Sequence, residues 1–260
     1  MEHRYVKVER EGKLTVITLD RPELLNALHP PAHHELALVF DEFASDPEQW
    51  VAIITGSGTR AFCAGNDLKF RAAEGRQPMP VSGFAGLTAR FDLEKPVIAA
   101  VNGLALGGGF ELALACDLAI AAADAQFGLP EVTVGLAPLA GGLQRLAQQI
   151  GLKNAMGLAL TGRRVSADEL LHRGGLNEVT PPGLALAGAK RWAEDLLRAA
   201  PLAVRACKHV MLRGLDEPSL QAALVNQDQI PAVVRMRTSL DAVEGPRAFA
   251  QQRVPQWQAR

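Results

Sequence analysis

The most apolar part of this chain, residues 97–123, is interrupted by polar residues and glycines that limit what it can form. Asn102, Glu111 and Asp117 lie inside it, as does the glycine run Gly107–Gly109. On a membrane-insertion scale each acid at the centre of a helix costs about 2.5–3.5 kcal/mol, so we expect no membrane span. The stretch is therefore predicted to be buried core.

Length and composition place the chain among globular proteins. Its 260 residues correspond to one large domain, or to a domain with an appendage, and can bury a core without disulfides or metal. Hydrophobic residues make up 48% and charged residues 21%, which excludes disorder. The 27 Lys and Arg against 28 Asp and Glu give a net charge of −1. Nucleic-acid binders usually carry a basic excess, so we expect no nucleic-acid partner.

The cysteines indicate a cellular compartment. There are three, an odd number without CxxC spacing, which is typical of a reducing environment. The first residues are charged and lack the apolar stretch of a signal peptide. We therefore predict a cytoplasmic protein. Cys63, Cys116 and Cys207 lie in apolar contexts and are predicted to be core residues.

Repeated strand, turn and helix patterns predict an α/β architecture. Two β-rich runs, 5–8 and 14–19, flank Glu11-Gly12-Lys13 and predict a hairpin. Pro30-Pro31 then opens a helical pattern, because the fixed φ of proline suits a first turn. Three short apolar runs with turn residues after them predict strands that are buried on both faces; these runs are 51–55, 97–101 and 118–121.

After Pro201 the pattern becomes almost wholly helical. Amphipathic stretches cover 202–213, 219–230 and 239–252 and are separated by Pro or Gly. We therefore predict an α/β core over residues 1–198 and a helical region over 199–260. Such an appendage must pack on the core or on a partner subunit.

The segment Ala61–Lys69 is the first that could carry chemistry. It follows a predicted strand and a glycine turn, and it leads into a polar helix start. N–H groups at a helix N-terminus are free to donate to a ligand. Asn66 and Asp67 are also good N-caps, so a purely structural interpretation stays open beside the ligand site.

The second segment runs from Asn102 to Asp117. Its three glycines precede a helix that is apolar on every side except at Glu111. A bare carboxylate in such surroundings costs several kcal/mol, so Glu111 must be hydrogen-bonded, paired or protonated. Proton-transfer enzymes use buried acids with a raised pKa, although bonding to neighbouring backbone donors would also explain Glu111.

The third segment, Phe127–Val132, has Pro130 at a predicted first helical position. This places Glu131 in the first turn, where the helix dipole favours a carboxylate. That role alone explains Glu131. Together with Glu111 on a separate element, it could instead complete an acid–base pair.

Other motifs are absent or weak. The glycine triplet lacks GxGxxG spacing, and neither a GxxxxGK phosphate loop nor a GxSxG nucleophile elbow occurs. His29, His33 and His34 are interrupted by two prolines and lack an obvious further ligand, so we expect no metal site.

In this order and spacing, the segments resemble the enoyl-coenzyme A hydratase/isomerase (crotonase) family. The resemblance runs from Val6 to Arg260. The residues that carry it are Leu19–Glu23, Asn26–Leu28, Ala64–Lys69, Gly107–Glu111, Phe127–Glu131 and Gly141–Leu146.

This resemblance implies a crotonase-like spiral of ββα units with a C-terminal helical trimerisation region. It implies homotrimers, or hexamers built as dimers of trimers. It also implies an acyl-coenzyme A thioester as the substrate, with coenzyme A as its handle and no metal, flavin or nicotinamide cofactor.

The resemblance further implies site residues. The two backbone N–H groups that hold the thioester oxygen match Asn66 and Gly108. Substrate contacts are expected from these two and from the rest of the first motif, namely Ala64, Asp67, Leu68 and Lys69. Asn66 occupies a position that is often alanine in hydratases, so its side chain is expected to alter substrate choice.

The family's two hydratase glutamates match Glu111 and Glu131, with Glu111 assigned mainly to the water and Glu131 mainly to the α-carbon. Both acids together favour a hydro-lyase. The alternatives are a double-bond isomerase that uses chiefly Glu131, and a non-catalytic acyl-coenzyme A or RNA-binding relative. The stretches 83–88 and 241–257 also resemble carnitinyl-coenzyme A dehydratases, whose substrate carries a quaternary ammonium.

Overall fold

The structure is a computed structural model that describes residues 3–75 and 77–260. It begins with the predicted hairpin, in which β1 (Val6–Glu11) pairs antiparallel with β2 (Leu14–Leu19). Helix α1 (Pro30–Ser45) then starts at the two prolines, as predicted. Its buried face includes Leu36, Phe40 and Phe43, which recur at helical spacing.

The chain continues as repeats of two strands and a helix. In each repeat the first strand joins one sheet, the second joins another, and a helix follows. The repeats are β3 (Val51–Gly56), β4 (Ala61–Cys63) and α2 (Leu68–Glu74); β5 (Val97–Val101), β6 (Leu104–Leu106) and α3 (Gly108–Ala115); and β7 (Leu118–Ala122), β8 (Gln126–Gly128) and α4 (Gly142–Ile150). This alternation confirms the predicted α/β spiral of ββα units.

Two further strands complete the sheets, and three helices lie before, between and after them. They are α5 (Leu152–Ala159), β9 (Arg164–Ser166), α6 (Ala167–His172), β10 (Glu178–Thr180) and α7 (Ala185–Arg198). The larger sheet has six strands in the order β1-β2-β3-β5-β7-β10, parallel except at the hairpin. The smaller has four strands in the order β4-β6-β8-β9, with β9 antiparallel.

Both faces of the larger sheet are covered at its central strands, which explains their uninterrupted apolar sequences. Strands β3 and β5 are buried at every position. Side chains from α1 and α3 fill one side of the core, and α7 covers the other with Ala189 and Ala193. Small residues on α7 let the helix approach the sheet closely.

The last part of the chain is helical, as predicted. It consists of α8 (Pro201–Gly214), α9 (Leu220–Asn226), α10 (Pro231–Thr238) and α11 (Leu240–Ala250). The sequence predicted one helix over 219–230, and α10 was missed because it is short and starts afresh at Pro231. Within residues 3–75 and 77–260, no helix is long and apolar enough to cross a membrane.

Candidate active site

Glu111 is held inside the core by backbone donors. It lies on α3 and is only 3% exposed. Its Oε1 atom accepts hydrogen bonds from the N–H of Ala140 at 2.8 Å and of Gly142 at 2.9 Å. Burial raises the pKa of Glu111, while these two N–H groups and the nearby Arg145 charge oppose the rise. The carboxyl is thus fixed in position, as the sequence required of an acid in this helix.

Glu131 has few such restraints. It lies in the first turn of a 3₁₀ helix, Pro130–Val134, with Pro130 at the first position as predicted. Its Oε2 atom is buried and has no hydrogen-bond partner among the described residues. Burial raises the pKa of Glu131, and the charge of Glu111 raises it further. The two carboxyls are therefore close enough to influence each other.

Glycines clear the space that these carboxyls occupy. A Cβ atom on Gly107 would lie 2.6 Å from Oε1 of Glu131, and one on Gly142 would lie 2.4 Å from Cγ of Glu111. Gly107 also has a positive φ of +55°, which side chains rarely adopt. Sequence analysis missed these roles, because a glycine does not reveal which distant side chain needs its space.

Two backbone N–H groups lie near the glutamates. Leu28 pairs with the loop as in a parallel strand: its N–H donates to Gly65 O, and its carbonyl accepts from Asp67 N–H, both at 2.8 Å. This pattern leaves the N–H of Asn66 on the opposite side. Neither that N–H nor the N–H of Gly108 donates to another residue that the structure describes. A Cβ on Gly65 would lie 3.2 Å from Gly108 N, so the two peptides are neighbours.

Asp67 fixes the loop after Asn66. Its carboxylate accepts from the N–H of Phe70 at 3.0 Å, which caps α2, and from the Arg21 guanidinium at 3.1 Å. Both ionic side chains are nearly buried. The N-cap interpretation of Asp67 is confirmed, and its carboxylate is occupied by protein donors.

A cavity of about 1650 Å³ brings most of the predicted residues together. Its walls include Ala64, Asn66, Asp67, Leu68, Glu111 and Glu131. Lys69 lies exposed on α2 outside the lining, and Gly108 is buried at its edge. A Cβ on Gly108 would lie 2.5 Å from the Phe84 ring, so this position also requires a glycine.

Arg145 lies next to the site and acts on Glu111 by its charge; the sequence analysis assigned it no role. Its guanidinium donates to the carbonyl of Thr88 at 2.8 Å and carries a charge that acts on Glu111. It belongs to the segment Gly141–Leu146, which carried the family resemblance. A basic residue near the start of a helix, where the helix dipole disfavours positive charge, was the signal that could have indicated this role.

The cysteine prediction is partly wrong. Cys63 and Cys116 are buried, but Cys207 is exposed on α8. Apolar residues lie near Cys207 in the sequence, but Cys207 lies on a face of α8 that is exposed in the single chain. In the part of the chain that the structure describes, no group of three or more His, Cys, Asp or Glu side chains is placed to hold a metal ion.

A buried and a partly buried glutamate, beside two backbone N–H groups that donate to no other described residue, have the parts of an acid–base active site with an oxyanion hole. The profile of the enoyl-CoA hydratase/isomerase family matches residues 9–260. The chain therefore belongs to this family of enzymes.

Named relatives agree with that membership. A carnitinyl-CoA dehydratase from Proteus mirabilis (strain HI4320) is 44% identical over 254 residues, which cover 96% of each chain. An enoyl-CoA hydratase from Mycobacterium tuberculosis H37Rv superposes with a TM-score of 0.91 at 40% identity, over 98% of this chain and 99% of that one. A carnitinyl-CoA hydratase from Mycobacterium avium superposes with a TM-score of 0.79 at 41% identity and full coverage of both chains.

Proposed function

We propose that this enzyme is a hydro-lyase that reversibly adds water to a 2-enoyl-coenzyme A thioester, or removes it from the 3-hydroxyacyl thioester. The observation that carries the proposal is the pair Glu111 and Glu131. Both line one cavity, both have a raised pKa, and they differ in how firmly they are held. The hydratases and dehydratases among the relatives support the same reaction class.

In the hydration direction, Glu111 accepts a proton from water while the water oxygen bonds to the β-carbon. The alkene electrons move to the thioester carbonyl, which becomes an enolate. Glu131 then gives its proton to the α-carbon, and the carbonyl is restored. A proton moves from one glutamate to the other through the next water, so no other reagent is needed. Glu111 suits the first role because Ala140 and Gly142 fix its carboxylate.

The backbone N–H groups of Asn66 and Gly108 would hold the enolate oxygen. Their proximity and the absence of acceptors within the described residues support this role. Loss of one such donor typically costs about 3–4 kcal/mol of transition-state stabilisation. Ala64, Asp67 and Leu68, which line the cavity, and Lys69, which lies exposed beside them on α2, complete the proposed contact region.

The decisive experiment is hydration of crotonyl-coenzyme A, followed by loss of the conjugated thioester absorbance. We expect turnover by the wild-type enzyme and a loss of about 10²–10⁴-fold in Glu131→Gln, because general acid catalysis contributes about that much. A folded protein that binds the thioester without turning it over would contradict the proposal.

Glu111→Gln separates hydration from double-bond isomerisation. An isomerase that relies chiefly on Glu131 would keep its activity on a 3-enoyl thioester in this variant, whereas a hydratase would lose water addition. Two acids in one cavity favour the hydratase over the isomerase. They also count against a non-catalytic relative that only binds acyl-coenzyme A or RNA.

We also propose that residues 199–260 form an oligomerisation region on the 1–198 core, in a homotrimer or a hexamer. Large apolar side chains on α8, on α9 and just after α8 are exposed in the single chain; they are Met211, Leu212, Leu215, Leu220, Leu224 and Val225. Light scattering on the purified protein tests this, since a trimer has three times the 27.8 kDa of one chain. The free cysteines support a cytoplasmic location as a further proposal.

A further inference from the structure

His33, on α1, has one paired and one unpaired ring nitrogen, although the residue is 0% exposed. Its Nδ1 atom accepts a hydrogen bond from the N–H of Ala85 at 3.0 Å, so the ring proton lies on Nε2. Burial lowers the pKa of the imidazole to about 4, which keeps it neutral near pH 7. Nε2 finds no partner with hydrogen-bond geometry in the described chain. A buried donor left unpaired costs about 1–3 kcal/mol, so its presence calls for a ligand.

The unpaired donor lies beside the proposed oxyanion donors. His33 lines the same cavity as the two glutamates. Its ring lies 4.5 Å, centroid to centroid, from that of Phe84, which packs directly against Gly108. The side-chain amide of Asn66 lies close enough to the imidazole to favour its protonated form, but it does not reach hydrogen-bond geometry with Nε2. His33, Phe84 and the Asn66 side chain thus form one patch next to where a thioester carbonyl would be held.

The charged groups that act on His33 are basic, whereas the acids Glu111 and Glu131 lie elsewhere in the same cavity wall. The ionisable groups that act on His33 are themselves bases, namely His29, His34 and Arg21. The nearest acid of the loop, Asp67, is bound to Arg21. Phe70, Phe84 and Phe91 line the cavity, but within residues 3–75 and 77–260 no Trp does, and a Trp face binds a quaternary ammonium most strongly. A neutral N–H donor and an amide instead favour an uncharged oxygen.

We propose that the His33 imidazole and the Asn66 amide form a subsite for an uncharged hydroxyl or carbonyl oxygen on the acyl chain, beyond the reacting carbons. The proposal rests on the proposed function, because it places an acyl thioester in this cavity. The substrate is then an oxygen-substituted 2-enoyl or 3-hydroxyacyl thioester. A plain alkyl thioester leaves Nε2 unpaired, and a trimethylammonium group has no atom that can accept a hydrogen bond from it.

Binding of saturated thioesters tests the subsite without depending on turnover. The probes are 4-hydroxybutyryl- and 5-hydroxyvaleryl-coenzyme A, each compared with its unsubstituted parent, and 4-trimethylammoniobutyryl-coenzyme A. By titration calorimetry we expect at least one hydroxyacyl probe to bind about tenfold more tightly than its parent, because a site with a buried polar group rejects a ligand that cannot pair with it. Equal binding of both hydroxyacyl probes and their parents, or tightest binding of the trimethylammonium probe, would overturn the proposal.

Two substitutions separate the two nitrogens of His33. His33→Asn keeps an acceptor for Ala85 N–H but removes the distal donor, and we expect it to abolish the preference. His33→Gln places an amide N–H near the Nε2 position, and we expect it to retain part of the preference. Thermal unfolding checks that both variants fold. Preference retained in His33→Asn would overturn the role of Nε2. Failure of crotonyl-coenzyme A hydration would contradict the proposed function but leave this binding result intact.

Discussion

The two glutamates occupy one cavity but differ in their surroundings. Glu111 has an oxygen fixed by two backbone N–H groups. Glu131 has one oxygen without a partner among the described residues, and Gly107 lies against its other oxygen. Burial raises the pKa of both. One fold thus holds one acid by two hydrogen bonds and leaves an oxygen of its neighbour without such a bond among the described residues. A base that positions a water needs a carboxylate held in one orientation. An acid that protonates the α-carbon can work with fewer hydrogen bonds to its carboxyl.

Gly142→Ala breaks the rigid side of this comparison and has the largest expected effect. The new Cβ would lie 2.4 Å from Cγ of Glu111, which is not a freely moving chain end. We expect kcat for hydration to fall about 10²–10⁴-fold, as for loss of a catalytic acid or base. Gly157→Ala is the matched control, since its Cβ meets nothing within 4 Å. Near-normal activity in Gly142→Ala would show that Glu111 has room to move.

Gly107→Ala acts on the mobile side. Its Cβ would lie 2.6 Å from the terminal Oε1 of Glu131, which can swing away. We therefore expect a smaller loss in kcat, about 10–100-fold, from misplacement of the acid. Gly135→Ala has a similar positive φ and open space around it, so it isolates backbone strain. A loss as large as that of Gly142→Ala would mean that Glu131 is as fixed as Glu111.

The pH dependence sharpens the comparison. With Glu111 as base and Glu131 as acid, kcat/KM falls at low pH as Glu111 is protonated and at high pH as Glu131 ionises. The negative charge of Glu111 raises the pKa of Glu131. In Glu111→Gln this charge is gone, so we expect the pKa of Glu131 to decrease, as measured by carboxyl ¹³C NMR titration. An unchanged pKa would contradict coupling between the two acids.

The smallest expected effect is on stability. Because burial raises the pKa of Glu131 above its value in the unfolded chain, the carboxyl contributes stability below the unfolded pKa and loses this contribution as pH rises through the folded pKa. Near pH 7.5 the ionised carboxylate of Glu131 therefore lowers the free energy of unfolding. We expect Glu131→Gln to raise Tm there by about 2 °C, and to gain less near pH 5. Calorimetry at both pH values checks this, and a lower Tm at pH 7.5 would contradict it.

Much of the fold could be predicted from sequence because its signals are local. Strand β5 was predicted at its observed bounds, since a short apolar run before Asn102-Gly103 has few alternatives. The burial of Glu111 followed from the apolar helix around it. The separate start of α10 and the exposure of Cys207 could not be predicted, because they depend on how the last helices pack.

The candidate site residues could be identified from the sequence, but the contacts between them could not, for a related reason. The segments that contain Glu111, Glu131, Asn66 and Gly108 stood out by composition and motif, and their identification as site residues remains a prediction. The space provided by Gly107 and Gly142 depends on residues far away in the sequence. The proton on Nε2 of His33 follows from the hydrogen bond that Nδ1 accepts from Ala85, a residue 52 positions away. No local pattern reports such distances.

The pairing of Leu28 with the loop separates two properties of position 66. Its hydrogen bonds hold Gly65 and Asp67 and so fix the peptide between them, whichever side chain that residue carries. We therefore expect exchange of the Asn66 side chain to change the accepted acyl groups while the backbone N–H stays in place. One substitution at this position would then change the choice of substrate and leave the backbone donor of the proposed oxyanion hole unchanged.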